Sequence, residues 1–106
     1  MSQSCCNKNG AQQSFSNGCQ KLQDIFSKVK GQSGTILPVS VVFTNGNRKE
    51  ILKPGRAVSI VPRISEDVVE ITINGRVQTI SCNDIAKITL LVGIPCVTKS
   101  FVTIDF

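Results

Sequence analysis

Histidine, tyrosine and tryptophan are all missing from the 106 residues. Without imidazole the chain lacks the commonest general base, the commonest nitrogen ligand for zinc, and the partner on which most serine and cysteine nucleophiles depend. Asp24, Glu66, Asp67 and Asp84 sit in no recognisable acid–base context, and no glycine-rich phosphate loop follows a strand-like run. The expectation is a protein that is not an enzyme and uses no cofactor. Cys-x-x-Cys knuckles are missing too, and the adjacent Cys5 and Cys6 project apart, so no metal centre is expected. The apolar runs fall far short of the ~18 residues that cross a bilayer. The N-terminus has none of the charged start, apolar stretch and small-residue cleavage site of a signal peptide. A protein made in the cytoplasm, with no membrane partner, is expected.

What the chain does have is five cysteines and a net charge of +5. Its length suits one domain able to bury a core without crosslinks, so folding alone does not account for the thiols. An odd number cannot all pair within one chain, and in a reducing cytoplasm such thiols stay free until the protein leaves it. Neighbouring cysteines rarely bond to each other, because a disulfide needs a Cα separation of ~4.4–6.8 Å in a geometry that adjacent residues strain to reach. Cys5 and Cys6 therefore call for separate, distant partners, which a long arm can find in another subunit. Cys82, inside an apolar segment, reads as a buried small hydrophobe. The positive charges are scattered, with Arg48-Lys49 the only adjacent pair, which suits a solvated surface better than a dense nucleic-acid patch.

Residues 1–18 are rich in Ser, Gln, Asn and Gly and read as a flexible connector arm. Residues 19–34 read as a short helix or linker: Leu22, Ile25, Phe26 and Val29 recur at three- and four-residue steps, and Gly31 can end the run. Residues 35–106 turn to β-branched runs punctuated by turn pairs. Strands are expected near 36–44, 47–52, 57–63, 67–73, 76–82, 85–93 and 97–105. Asn45-Gly46 and Asn74-Gly75 favour positive φ at both central positions of tight hairpins, and Pro54-Gly55 fits a type II turn. Alternation puts Val39, Val41 and Phe43 on one side, as it does Val58 with Ile60, Val69 with Ile71 and Ile73, and Val102 with Ile104 and Phe106. The fold class is mainly β: a small antiparallel jelly-roll or β-sandwich with a flexible N-terminal arm and a short helix.

The Cys5-Cys6 pair followed by Cys19 resembles the N-terminal connector of bacterial endospore appendage subunits, in which a Cys-Cys, a spacer and a further Cys precede a small jelly-roll. "EILKPGRAVSIVPRISEDVVEITI" is similar to the strand, Pro-Gly turn, strand rhythm of those domains, and "GIPCVTKSFVTIDF" sets Cys96 near the final strand, where they carry a receiving cysteine. The resemblance implies a self-assembling structural subunit of a disulfide-crosslinked fibre or surface layer, located on the spore surface in exosporium or coat. Its partners would be copies of itself and related subunits. Carried over, Cys5 and Cys6 would be donors, and Cys19 and Cys96 acceptors, of intermolecular disulfides, with Ser4, Asn7, Lys8, Asn9 and Gly10 completing the assembly arm. The pattern gives Cys82 no role.

"LQDIF" at 22–26 with "PVSVVFTNG" at 38–46 is also similar to the opening helix and first hairpin of bacterial Sm-like RNA chaperones, and "ISCNDIAKI" at 80–88 to their closing strands. That alternative implies a small β-barrel binding RNA as a ring, with Gln23, Lys28 and Arg48 as contacts. It departs from the family at Pro54-Gly55, which breaks the second strand, and in having no Lys-His pair near its end.

Overall fold

The computed structural model describes residues 18–95 and 97–106. Among these residues one α-helix, α1 (Gly18–Gly31), precedes seven strands: β1 (Thr35–Phe43), β2 (Arg48–Glu50), β3 (Val58–Arg63), β4 (Val68–Ile73), β5 (Arg76–Ser81), β6 (Ile85–Ile94) and β7 (Val97–Asp105). They form two antiparallel sheets, ordered β2-β1-β6-β7 and β3-β4-β5. The mainly β, sandwich-like class expected from the alternation is the one observed.

The chain fills both sheets with short connections. It enters the larger sheet at β1, turns back into β2, and crosses to build the β3-β4-β5 meander. The 3-10 turn at Cys82–Asp84 then returns it to lay β6 beside β1. Ser81 caps that turn by accepting from the Asn83 N–H (3.3 Å). The core lies between the layers: Val41, Ile88, Leu90 and Ile104 from the larger sheet meet Ile60, Val69 and Ile71 from the smaller one. Helix α1 packs on β3, β1, β6 and β7 with its Cys19, Leu22 and Val29 stripe, at the three- and four-residue steps that keep apolar side chains on one helical face.

Three details of the connections go beyond the sequence reading. Gly31 is the last helical residue, but the left-handed stop is Ser33, at φ 59°. The Gly34 N–H bonds the Val29 carbonyl (2.8 Å) and the Ser33 N–H bonds that of Lys30 (3.1 Å), a Schellman closure displaced two residues beyond the glycine. The first hairpin is not the two-residue turn expected at Asn45-Gly46, because only Gly46 has positive φ, at 94°. The Gly46 N–H reaches the Phe43 carbonyl (2.9 Å) and the Phe43 N–H reaches that of Asn47 (2.8 Å). Thr44 and Asn45 thus turn the chain and glycine takes the left-handed place in a three-residue loop. Asn74-Gly75 does hold positive φ at both positions, 50° and 84°. Third, β1 changes register between Pro38 and Ser40, and the side-by-side alternation of Val39, Val41 and Phe43 is replaced: Ile36, Pro38 and Ser40 are buried, then Val41 directly after. At this bulge the Val39 carbonyl accepts from both Ile51 (2.8 Å) and Leu52 (3.2 Å), which stops β2 at Glu50 rather than at 52.

Candidate assembly surface

Two neighbouring features stand out: the corner from which α1 starts, and the open edge at β7. At the corner Gly18 is buried so closely under Phe106 that a Cβ at position 18 would run into the aromatic ring. One turn along, Lys21 Nζ donates to the Asp105 carbonyl (3.1 Å). The first turn of α1 is therefore fixed to the end of β7. A disulfide joins Cys19 to Cys82 across 63 residues of sequence, tying the helix to the 3-10 turn that precedes β6, with Cα atoms 5.9 Å apart. Both cysteines are nearly inaccessible, at 1% and 7%.

The cysteine expectations divide here. Cys82 is buried, as expected of a small hydrophobe, but it also has a partner. Cys19, the acceptor of an intermolecular bond by resemblance, is instead joined within its own chain. The tertiary fold brings the first turn of α1 against the β5–β6 connection and decides the pairing; spacing along the chain carries no sign of it. Cys5, Cys6, Cys96 and the arm residues Ser4, Asn7, Lys8, Asn9 and Gly10 lie outside the described residues. The Asp67 carboxylate approaches the bonded sulfurs, all three ligand atoms lying within 4.8 Å of one another. Sulfurs bonded to each other offer no thiolate, so this corner is a crosslink in the state observed.

Among the described residues, strand β7 is bonded to β6 along one side only and forms the outer edge of its sheet. Its inward residues are Val102, half-buried, and Ile104, buried. The opposite face carries Lys99, Phe101, Thr103 and Asp105, all exposed, with Phe101 at 68%. Leu37, Leu91 and Phe101 stand opposite one another across β1, β6 and β7, making an apolar row on the outer face of the sheet. Thr89 and Thr103 share a hydroxyl hydrogen bond (3.1 Å) in the next row. The row was readable in the sequence: if Val102, Ile104 and Phe106 face inward, Phe101 must share the polar face. The other edge of the sheet, β2, is only three residues long and carries Arg48 and Glu50, the usual blunting of an exposed edge.

The nucleic-acid candidates do not form a patch. Gln23 and Lys28 are five positions apart on α1, about 140° around its axis. Gln23 Nε2 is engaged with Ser27 Oγ (2.9 Å), and Arg48 is ion-paired with Glu50. On the smaller sheet Arg63 pairs with Glu70 (2.7 Å), whose hydrogen bond and charge hold the guanidinium above its ordinary pKa. A polar cleft by the β1–β2 turn is lined by Phe43, Thr44, Thr79, Ser81 and Asp84, with a single carboxylate. No described helix is long and apolar enough to cross a membrane. No protein-family model, curated protein or solved structure matches the chain.

Proposed function

We propose that the chain is a self-assembling structural subunit, joined to further copies by disulfides from its N-terminal arm into a fibre or surface layer of the kind found on bacterial spores. The observation that carries this reading is the juxtaposition at β7. Among the described residues the strand leaves an edge open with apolar side chains on its solvent face, and the helix that follows the Cys5–Cys6 segment in the sequence is fastened to the end of that strand. Pairing of Cys19 with Cys82 sharpens the chemistry, because it leaves Cys5, Cys6 and Cys96 as the thiols available to other subunits. Cys96 lies between β6 and β7, so a donor arm bonding there would reach the same hairpin. Non-covalent contact comes first, through edge hydrogen bonds and apolar burial; disulfides then make the assembly resistant to unfolding.

The test is negative-stain electron microscopy beside non-reducing and reducing gels, for the wild type and a Cys5→Ser/Cys6→Ser variant. Ordered fibres or layers, with a covalent ladder that vanishes in the variant, are expected. Monodisperse protein without a ladder would overturn the reading.

The Sm-like alternative draws support from one feature: the return of β6 to the side of β1 after a short 3-10 turn, in the segment that resembles the closing strands of those chaperones. As an RNA-binding ring, the protein would copurify with nucleic acid and release it steeply as salt rises.

A further inference from the structure

The backbone groups on the open side of β7 can be assigned. The Phe106 N–H donates to the Ala86 carbonyl (2.9 Å), which makes Lys87 and Asp105 a cross-strand pair whose own N–H and C=O groups point away from each other. The register continues unbroken to Ser100, so the same holds at Thr103 and Phe101. The outward groups of β7 are thus those of Phe101, Thr103 and Asp105, the last with its carbonyl already held by Lys21.

We infer that this edge is a homotypic docking strand: β7 of one copy pairs antiparallel with β7 of a second about a two-fold axis at Val102, fusing two four-stranded sheets into one of eight. This deepens the assembly reading and rests on its premise that copies of the chain associate. Only pairings that set odd-numbered residues opposite odd-numbered residues match the outward groups of both copies. With the axis at Val102, Phe101 faces Thr103 of the second copy, and Lys99 faces Asp105 of the second copy. Symmetry makes each of these contacts twice.

The charges choose this register. Lys99 and Asp105 are exposed on the same face of β7, and neither is in an ion pair among the described residues. In the fused sheet each Asp105 stands between Lys87 of its own β6 and Lys99 of the second copy, an alternation of sign along one row. Moving the axis to Phe101 or Thr103 breaks both Lys99–Asp105 matches. The chosen register also sets the two Phe101 rings on the diagonal across the axis, ~7–8 Å apart at Cα and within aromatic reach. That contact covers the most exposed large apolar side chain described.

The full-length chain with Cys5, Cys6 and Cys96 changed to Ser, which keeps the Cys19–Cys82 bond and removes the other thiols, isolates this contact. Light scattering should give twice the 11.4 kDa chain mass at high protein concentration. Thr103→Pro removes an outward N–H without touching a main-chain bond to β6 and loses only the exposed hydroxyl bond to Thr89, so it should yield a monomer with an unchanged circular dichroism spectrum and the same melting point as a Thr103→Val control that stays dimeric. Lys99→Asp should weaken the dimer about tenfold by setting like charges opposite each other twice, and Lys99→Asp with Asp105→Lys should restore it. A monomer at every concentration, or a dimer indifferent to Thr103→Pro and to charge reversal, overturns the inference. Wild-type fibres alongside such indifference would leave the assembly reading standing. A β7-dependent dimer with no reductant-sensitive ladder would sink that reading and keep this one.

Discussion

The two ends of the larger sheet's last hairpin live in opposite physical regimes. Where β7 finishes, Phe106 covers Gly18, Lys21 holds the Asp105 carbonyl, and the Cys19–Cys82 bond fastens the helix to the β5–β6 connection. Where β7 starts, Val97 to Phe101 are exposed on both faces of the strand and Val97 and Phe101 offer apolar surface to solvent. Stability is concentrated at one end and stickiness at the other, so the comparison predicts that substitutions at the two ends will separate folding from association.

The largest effect belongs to the crosslink. Closing a loop of 63 residues removes chain entropy from the unfolded state equivalent to about 4 kcal/mol. Cys19→Ser/Cys82→Ser should lower the unfolding free energy by up to that amount in urea melts, and reduction of the wild type should approach the same value. Loss below about 1 kcal/mol would mean that the helix is held by its Leu22 and Val29 packing alone. Next comes Gly18→Ala. The added methyl must displace the Phe106 ring or the helix, and overpacking of this kind costs about 1–3 kcal/mol. Thermal unfolding checks it, and Gly18→Ala with Phe106→Ala should recover part of the loss if the clash is the cause.

Much of this contrast could be read before any coordinates. The strand positions follow from Val, Ile and Thr runs cut by Gly, Pro and Asn, and they agree with the observed elements to within a residue or two for all seven. The helix stripe and the inward set Val102, Ile104 and Phe106 follow from period alone. Three things did not follow, each because a tertiary contact decides it. The bulge at Val39 falls where the Val39 carbonyl serves both Ile51 and Leu52; no glycine marks it, and it overturns the simple alternation of β1. The partner of Cys19 depends on where α1 docks, 63 residues away from Cys82. Helix α1 ends at Gly31 as expected, but its closure is not made there: the Ser33 and Gly34 N–H groups reach the free carbonyls of the last turn. Of the assembly cysteines, Cys5, Cys6 and Cys96 rest on sequence alone.

A smaller effect of opposite sign tests the helix stop. Ser33 holds φ 59°, a conformation that costs an ordinary L-residue about 1 kcal/mol and glycine little. Ser33→Gly should stabilise the protein by up to that amount, with the gain visible as a small rise in melting temperature. A destabilisation would show that the serine contributes more than its backbone conformation costs.

The smallest effect on folding should come with the largest effect on association. Phe101 is 68% exposed, so Phe101→Thr removes little that the folded monomer buries, and Thr is well suited to a strand. Its unfolding free energy should stay within about 0.5 kcal/mol of the parent chain, the usual range for a surface change. In the same samples the β7-paired mass should fall toward the monomer, because the ring in this reading covers its own image across the two-fold axis. A large loss of stability would place Phe101 in the core economy of the single chain, joined to Leu37 and Leu91, and the division between a stabilising end and an associating end of β7 would collapse.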